Sequence, residues 1–348
     1  MAEGSLDAAL VYPSETPPPP GTSREVAPGV RWLRMPLPFP PDHINLWLIE
    51  DGNAWTIVDA GLHREEAQGH WESIFANELG GRPVTRVIVT HFHPDHIGLA
   101  DWLCRRWNAP LWMTAAEWYM ARAVHGSGSE TDIDARVAFY RGNGATEELL
   151  SETRKPNSFY RRGVPEVPPV FHRLRAGEQV RIGGRDWQPI IGRGHAPEHA
   201  CLHADEIATL IGGDILLPRI SPNISVWPAE PLANPLRDYL ESLDGFRDVP
   251  PETLILPAHG LPYRGLHARI AALKNHHAER LERLAQAMTE RPLSAVDCFP
   301  LLFRREIGPN NVGLATGEAL AHLHYLEAVG RAVRARDTDG VWRFSPAR

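Results

Sequence analysis

Short apolar runs alternate with longer segments of helical periodicity along the first third of the chain. The runs are bounded by turn residues such as Asp51, Gly52 and Asn53 and have the length of strands. The predicted strands are 30–35, 44–49, 55–58 and 84–90. Apolar residues at helical spacing predict helices over 65–79 and 99–107. Strand, loop, helix and strand in this order predict an α/β layered sheet.

The pattern changes to helical segments between 115 and 167, which predicts a helical insertion. Its predicted helices are 115–124, 132–140 and 145–154. Strand patterns then return at 180–182, 187–191, 200–203, 207–211 and 253–256, with one helix at 236–246. From about 266 the chain is helical, with helices expected at 266–288 and 317–334, and 341–344 predicts a closing strand or wing.

The first 29 residues form a proline-rich leader. Four consecutive prolines, 17–20, exclude a helix or an inner strand, so an extended and flexible leader is expected. Acids at Glu3 and Asp7 stand where a signal peptide would be basic, and we expect an unprocessed, cytoplasmic protein. No window approaches the roughly 18 to 20 apolar residues of a membrane span, so no membrane partner is expected.

Composition indicates a folded chain and names no macromolecular partner. The 348 residues are 43% hydrophobic and 23% charged, which are ordinary globular values. This length exceeds what one hydrophobic core usually serves, so we expect either one large layered domain with insertions or a main domain plus a small one. The net charge of −7 shows no overall polycation. Three isolated cysteines, without a Cys-x-x-Cys pair, argue against a disulfide framework and fit a reducing compartment.

The densest chemical signal directly follows the predicted strand 84–90. His91, His93, Asp95 and His96 place three imidazoles and a carboxylate within six residues, a donor set suited to zinc, iron or manganese. Alternate side chains of an extended loop project the same way, so His91 and His93 can share one ion while Asp95 and His96 face a second. Further donors follow other predicted strands: His195, Asp214 and His259.

This set of motifs resembles the metallo-β-lactamase superfamily, over roughly residues 30 to 262. The resemblance implies a four-layer αββα sandwich at 30–265, with residues 115–167 as a helical lid. It also implies two divalent ions, zinc first and iron or manganese as alternatives. By this resemblance His91, His93 and His195 bind the first ion, Asp95, His96 and His259 bind the second, and Asp214 bridges them. Asp59, in the preceding Ile-Val-Asp-Ala-Gly motif, orients the loop from behind the ligands.

A hydrolytic mechanism follows from such a pair of ions. Two cations about 3.5 to 4 Å apart share a water, lower its pKa from about 15.7 toward neutrality and polarise a carbonyl or phosphoryl oxygen. Asp95 is the predicted catalytic residue because it can hold the attacking water and accept its proton. No serine, cysteine or lysine nucleophile is required.

The other histidines give weaker signals. His199, four residues after His195, is interpreted as supporting the ligands rather than binding metal. We interpret seven more as surface or core residues: His43, His63, His203, His276, His277, His322 and His324. His70, His125, His172 and His267 belong to no motif.

The lid and the C-terminal segment bear on substrate and partners. Aromatic residues of the lid, including Phe159 and Tyr160, either line an acyl pocket or pack the lid onto the body. Residues 266–348 resemble the small, mainly helical winged-helix module of some superfamily members. From Arg264 onward 13 basic residues face 9 acidic ones, a mild excess, so packing on a second copy in a homodimer is favoured over nucleic-acid binding.

These observations favour a dinuclear hydrolase of a small acyl substrate, a thioester before a lactone or other ester. Two alternatives stay open. An endoribonuclease would use the same chemistry on single-stranded RNA, but it needs a basic track. A metal-bound sensor would have lost catalytic turnover. The presence of both Asp95 and Asp214 argues against this alternative.

Overall fold

Two β-sheets and a hairpin carry the strands of this protein. The computed structural model describes residues 10–155 and 158–347. The first nine residues of the predicted leader lie outside them. The first sheet follows chain order: β1 (Arg24–Ala27), β2 (Val30–Pro36), β3 (His43–Glu50), β4 (Trp55–Val58), β5 (Val84–Ile88), β6 (Leu111–Met113) and β7 (Phe171–Arg173). It is antiparallel from β1 to β4 and parallel from β4 to β7.

The second sheet has the order β12-β11-β10-β9-β8. Its strands are β8 (Val180–Ile182), β9 (Arg185–Gly192), β10 (His199–Ala204), β11 (Thr209–Gly213) and β12 (Leu254–Pro257). Strand β10 is antiparallel to β9 and to β11, whereas β11 and β12 are parallel. A separate hairpin pairs β13 (Ala332–Arg336) with β14 (Trp342–Pro346).

Ten α-helices are described, and most of them agree with the apolar periodicity. They are α1 (Glu65–Asn77), α2 (Pro94–Ile97), α3 (Ala100–Trp107), α4 (Ala115–Gly126), α5 (Glu130–Gly142), α6 (Ser158–Gly163), α7 (Pro235–Ser242), α8 (Leu266–Met288), α9 (Phe299–Leu302) and α10 (Val312–Ala328). In the described part of the chain, no helix combines the length and apolar character required to cross a bilayer.

The period-2 alternation of the strands explains the layered core. Trp32, Trp47 and Val58 point from the first sheet into a core that also contains Trp187 and Leu202 of the second sheet. Their chain neighbours point the other way, against helices: Leu33, Leu48 and Ile57 share a core with Trp71 of α1 and Leu103 of α3. The predicted α/β layering is therefore confirmed, with apolar residues on both faces of the first sheet.

The chain divides into two compact units. The first consists of Met1–Gly126, Phe159–Pro222 and Ser242–Ile270, and it contains both sheets. The second consists of Ser127–Ser158, Asn223–Glu241 and Ala271–Arg348, and it contains the β13–β14 hairpin. The predicted lid, 115–167, contributes α4 and α6 to the first unit and α5 to the second.

One predicted helix, 145–154, is wrong, and another, 317–334, extends too far. Residues 145–154 form turns rather than a helix. Gly144 at φ +98° departs from helical geometry before this segment, and Pro156, which has no N–H to continue a helix, follows it. The predicted helix 317–334 ends with α10 because Gly330 adopts φ +72°. The N–H of Arg331 donates to the carbonyl of Leu326 (2.8 Å), a Schellman termination that directs the chain into β13.

The described part of the leader pairs with the rest of the chain at two places. Val11 forms an isolated bridge with Arg264. Residues Arg24–Ala27 form strand β1 and pair with β2 at the edge of the first sheet. The prolines at 17–20 do not interfere with this pairing, because β1 begins after them. As an edge strand, β1 pairs with β2 alone among the described strands.

Candidate metal centre

The predicted ligands all follow the carboxyl ends of strands. His91, His93, Asp95 and His96 come after β5, while His195, Asp214 and His259 come after β9, β11 and β12. In the second sheet β9, β11 and β12 run in one direction, so their carboxyl ends meet at the same edge. The structure gathers all seven side chains into two groups that could each hold a metal ion.

The first ligand group consists of His91, His93, His195 and Asp214. The Nε2 atom of His91 lies 2.8 Å from Nδ1 of His93 and 3.3 Å from Nε2 of His195. Oδ2 of Asp214 lies 3.2 Å from the same His195 nitrogen. Three imidazoles and one carboxylate thus point their ligand atoms at a common centre.

The second ligand group consists of Asp95, His96 and His259. Oδ2 of Asp95 lies 3.5 Å from Nε2 of His259 and 3.9 Å from Nε2 of His96. The other oxygen of Asp214, Oδ1, lies 3.5 Å from each of these two nitrogens. Asp214 therefore presents one oxygen to each group.

Hydrogen bonds on the far side of the rings set which nitrogens face the ligand groups. His259 donates from Nδ1 to the carbonyl of His43 (2.7 Å), and His96 places Nδ1 2.8 Å from the Asp59 carboxylate. The Thr90 hydroxyl donates to Asp59 (3.0 Å), so its oxygen can accept from Nδ1 of His91 at 3.1 Å. In each ring the Nε2 lone pair is left to face the ligand group.

Asp59 connects the β4 end to the ligand loop. Its Oδ1 accepts the backbone N–H of Thr90 (2.8 Å), and its Oδ2 faces His96. Asp59 is buried and adopts φ +63°, a left-handed conformation that Asp tolerates better than most residues.

His199 lies behind the ligands rather than among them. Its Nε2 accepts the backbone N–H of Asp214 (3.1 Å), so it holds the peptide that precedes a ligand. Burial lowers the pKa of His199 to about 3, so the ring stays neutral. Gly213 is required beside it: at φ +49°, a Cβ on Gly213 would lie 2.3 Å from the His199 ring.

The pKa values of His91 in the first ligand group and His96 in the second are shifted in opposite directions. Burial, reinforced by the neighbouring His96 and His93 rings, holds the pKa of His91 well below its ordinary value. Burial opposes protonation of His96 as well, but the charges of Asp59, Asp214 and Asp95 hold its pKa well above the ordinary value. A divalent cation can take the place of that proton among the same carboxylates.

The residues present fit divalent metal ions. Nε2 of His96 and Oδ1 of Asp214 are buried and have no hydrogen-bond partner among the described residues, although both point into the ligand groups. Buried polar atoms without partners are costly, and a cation satisfies both. Imidazole and carboxylate are donors that zinc, iron and manganese all accept.

Two residues at this site were missed as contacts of the ligand loops. Glu117 of α4 accepts the N–H groups of Phe92 (3.0 Å) and Glu198 (2.6 Å). Tyr160 of α6 donates its hydroxyl to the carbonyl of Phe92 (2.9 Å). In the sequence, Glu117 is a single acidic residue among apolar residues near the start of a predicted helix. This pattern does not indicate which groups the carboxylate contacts.

The remaining histidines lie outside both ligand groups. His43 borders the second group, because its Nε2 accepts the N–H of Gly260 (2.9 Å) next to the ligand His259. His203, His277, His322 and His324 are buried, which agrees with their interpretation as core residues. His63 and His276 are half-buried.

Comparison with known protein families identifies the chain. The model of the metallo-beta-lactamase superfamily matches residues 39–259, which include every member of the two ligand groups. The chain belongs to the metallo-beta-lactamase superfamily. A second model, the metallo-beta-lactamase-like C-terminal domain, matches residues 281–347. The superfamily assignment predicted from the motifs is confirmed.

Relatives in this superfamily share both parts of the chain. A crystal structure of a beta-lactamase domain protein from Burkholderia ambifaria is 47% identical, with a TM-score of 0.92, and the match covers 99% of this chain and 100% of that one. A metallo-beta-lactamase family protein from Thermus thermophilus is 29% identical, with a TM-score of 0.75, over 92% and 99% of the two chains. The probable metallo-hydrolase YqjP of Bacillus subtilis (strain 168) is 26% identical, over 85% of this chain and 91% of its own. The superfamily and these relatives support a metal-dependent hydrolase.

Proposed function

We propose that this metallo-hydrolase holds two divalent metal ions, zinc first, and cleaves a small acyl substrate, a thioester before a lactone or other ester. The observation that carries the proposal is the orientation of Asp214. One of its oxygens lies 3.2 Å from His195 of the first ligand group, and the other lies 3.5 Å from His96 and His259 of the second. A carboxylate with this orientation can bind one ion with each oxygen.

The chain's own residues have distinct roles in this proposal. His91, His93 and His195 hold the first ion, Asp95, His96 and His259 hold the second, and Asp214 is shared. When bound, the ions supply a water of lowered pKa and Lewis-acid polarisation of the substrate carbonyl. Asp95 is half-buried whereas Asp214 is buried, so we assign to Asp95 the acceptance of the proton from the attacking water.

The charges beside the ligand groups support a small acyl substrate over a polyanion. Arg34 is a cation next to His259, and it donates to the carbonyl of Gly260 and to Oδ1 of Asn45. Its guanidinium also lies 5.2 Å from the Trp32 ring centroid. Because these contacts occupy Arg34, it offers little to a phosphodiester backbone, which requires a track of available cations.

Aromatic side chains near the ligand loop support an apolar acyl group. Phe39 and Phe159 pack edge to face, with ring centroids 5.8 Å apart, and Phe159 is 51% exposed. The next residue, Tyr160, contacts the backbone of Phe92 between two ligands. The exposed Phe159 side chain, adjacent in sequence to this contact, offers apolar surface to a substrate.

Parallel turnover assays test this proposal. We expect the zinc-loaded protein to cleave a short acyl thioester or a lactone, and Asp95→Asn to reduce kcat by at least about 100-fold because the proton acceptor is lost. Asp186→Asn, which alters an exposed carboxylate paired with Arg181, is the matched control and should retain activity. Cleavage of single-stranded RNA that collapses in salt would replace the acyl substrate with RNA. Metal binding without turnover of any ester, thioester or RNA would contradict the proposal and favour a sensor.

We also propose that the protein works in a reducing compartment such as the cytoplasm. Cys104, Cys201 and Cys298 are free thiols, and the last two are buried. Disulfides are rare in such compartments.

A further inference from the structure

Glu117 is a buried carboxylate that the proposed chemistry does not use. It lies in α4, outside both ligand groups, and none of its side-chain surface reaches solvent. Burial raises its pKa to about 7, against the hydrogen bonds it accepts from Glu198 and Phe92. Burying a carboxylate costs more free energy than burying an apolar side chain, so we expect this carboxylate to have a specific role.

The two oxygens of Glu117 contact two different ligand loops. Oε2 accepts the N–H of Phe92, which lies between His91 and His93 (3.0 Å). Oε1 accepts the N–H of Glu198, three residues after His195 (2.6 Å). One side chain therefore spans the β5 loop and the β9–β10 loop, which together supply all three histidines of the first ligand group.

Neighbouring side chains complete this arrangement on both loops. The carbonyl of Phe92 accepts the Tyr160 hydroxyl (2.9 Å), so the Phe92 residue is held at its N–H and at its carbonyl. The carbonyl of Glu198 accepts the Thr114 hydroxyl (2.8 Å), so Glu198 is held in the same way. Among the described hydrogen bonds, Glu117 contacts neither His96 nor His259, whose rings are held by Asp59 and by the carbonyl of His43 instead.

We propose that Glu117 is a positioning residue for the first metal ion: it fixes the separation of the two loops that carry His91, His93 and His195. This inference rests on the proposed function, because it requires that these histidines bind metal. It assigns to Tyr160 a smaller part, confined to the His91–His93 side. Neither residue touches substrate or the reacting atoms in this account.

Site-resolved titration of the metal-free protein with Zn²⁺ tests the inference. In a His259→Ala background, which disables the second ligand group, Glu117→Gln should weaken zinc binding about 10- to 100-fold, the usual cost of losing a partner behind the ligands. Glutamine has one acceptor oxygen, so it cannot serve both N–H groups. In a His93→Ala background, which disables the first group, Glu117→Gln should leave zinc affinity unchanged within about 2-fold.

Two further variants keep the result decisive. Tyr160→Phe removes one hydroxyl and should weaken zinc binding less than Glu117→Gln does, again only in the His259→Ala background. If Glu117→Gln does not fold, this variant tests the positioning of the His91–His93 loop instead. Glu65→Gln, an exposed acid of α1, should change neither affinity. Equal weakening in both backgrounds, or weakening in neither, would overturn the role of Glu117 while leaving the proposed function intact. A wild-type protein that binds no zinc would overturn both.

Discussion

The Nδ1 atom of His96 lies 2.8 Å from Oδ2 of Asp59, on the side of the ring that faces away from the second ligand group. The same carboxylate accepts the N–H and the hydroxyl of Thr90. Because Thr90 directly precedes His91, Asp59 fixes the orientation of His96 and the start of the ligand loop at once. Nε2 of His96 is thereby directed toward Asp214, 3.5 Å away.

Replacement of Asp59 by Asn should weaken binding of the second metal ion. Asn tolerates the φ of +63° at this position, so the backbone should keep its course. The amide has one acceptor oxygen, so it cannot accept from both Thr90 and His96, and we expect zinc affinity to fall about 10- to 100-fold. The measurement is zinc titration in the His93→Ala background, and an unchanged affinity there would show that Asp59 does not orient His96.

Replacement of Gly213 by Ala should destabilise the protein and displace Asp214. A Cβ at this position would lie 2.3 Å from the His199 ring and would require a side-chain-bearing residue at φ +49°. We expect a loss of about 2 kcal/mol or more in the free energy of unfolding, measured by chemical denaturation.

Gly69→Ala is the matched control for that substitution. Gly69 lies within α1 and has nothing within 4 Å of an added Cβ. Alanine there should stabilise the helix by about 0.5 to 1 kcal/mol. If both glycines respond alike, the close approach of His199 is not what requires Gly213.

Stability in the second unit should decrease as the pH falls from 6.5 toward 4. Burial lowers the pKa of His322 to about 4, and the nearby Arg280 charge acts in the same direction. The unfolded chain therefore binds this proton near pH 6.5, whereas the folded chain does not. The contribution of the neutral ring to the free energy of unfolding is complete above pH 6.5 and is lost as the pH falls from 6.5 to 4. The difference corresponds to about 3 kcal/mol.

Titration of the His322 ring by NMR measures this directly. The ring donates from Nδ1 to the Glu318 carbonyl (2.8 Å), and its Nε2 lies 3.2 Å from Nδ1 of His277. We expect the ring to stay neutral through pH 5 in the folded protein. Protonation near pH 6.5 in the folded protein would contradict the buried, neutral pair.

The layered fold was predictable because strand alternation specifies which face each residue occupies. Trp32 and Leu33 are adjacent in sequence and pack into different cores, as a period of two requires. The donors could be proposed from the sequence because they come after predicted strands, whose carboxyl ends meet at one edge of a sheet. Their division into two ligand groups came from the resemblance to the superfamily. Strands β6 and β7 were not predicted. Each has three residues, as β8 has, but only β8 is directly followed by two glycines that mark the end of a strand.

Contacts made through the backbone could not be predicted from the sequence. Glu117 binds the N–H groups of Phe92 and Glu198, and a backbone N–H is present at every residue except proline, so no residue type signals it. The division of the segment 115–167 between two units depends likewise on tertiary packing. The winged-helix interpretation of 266–348 and a homodimer through its helices stay predictions.

The central claim is that two divalent ions share Asp214, and elemental analysis of the purified, zinc-equilibrated protein tests it most directly. We expect about two zinc ions per chain in the wild type, because each ligand group can hold one ion, and a marked loss of both in Asp214→Ala. Asp186→Ala, the exposed control, should retain the wild-type content. A wild-type content of one ion or none, or a full content in Asp214→Ala, would contradict the account.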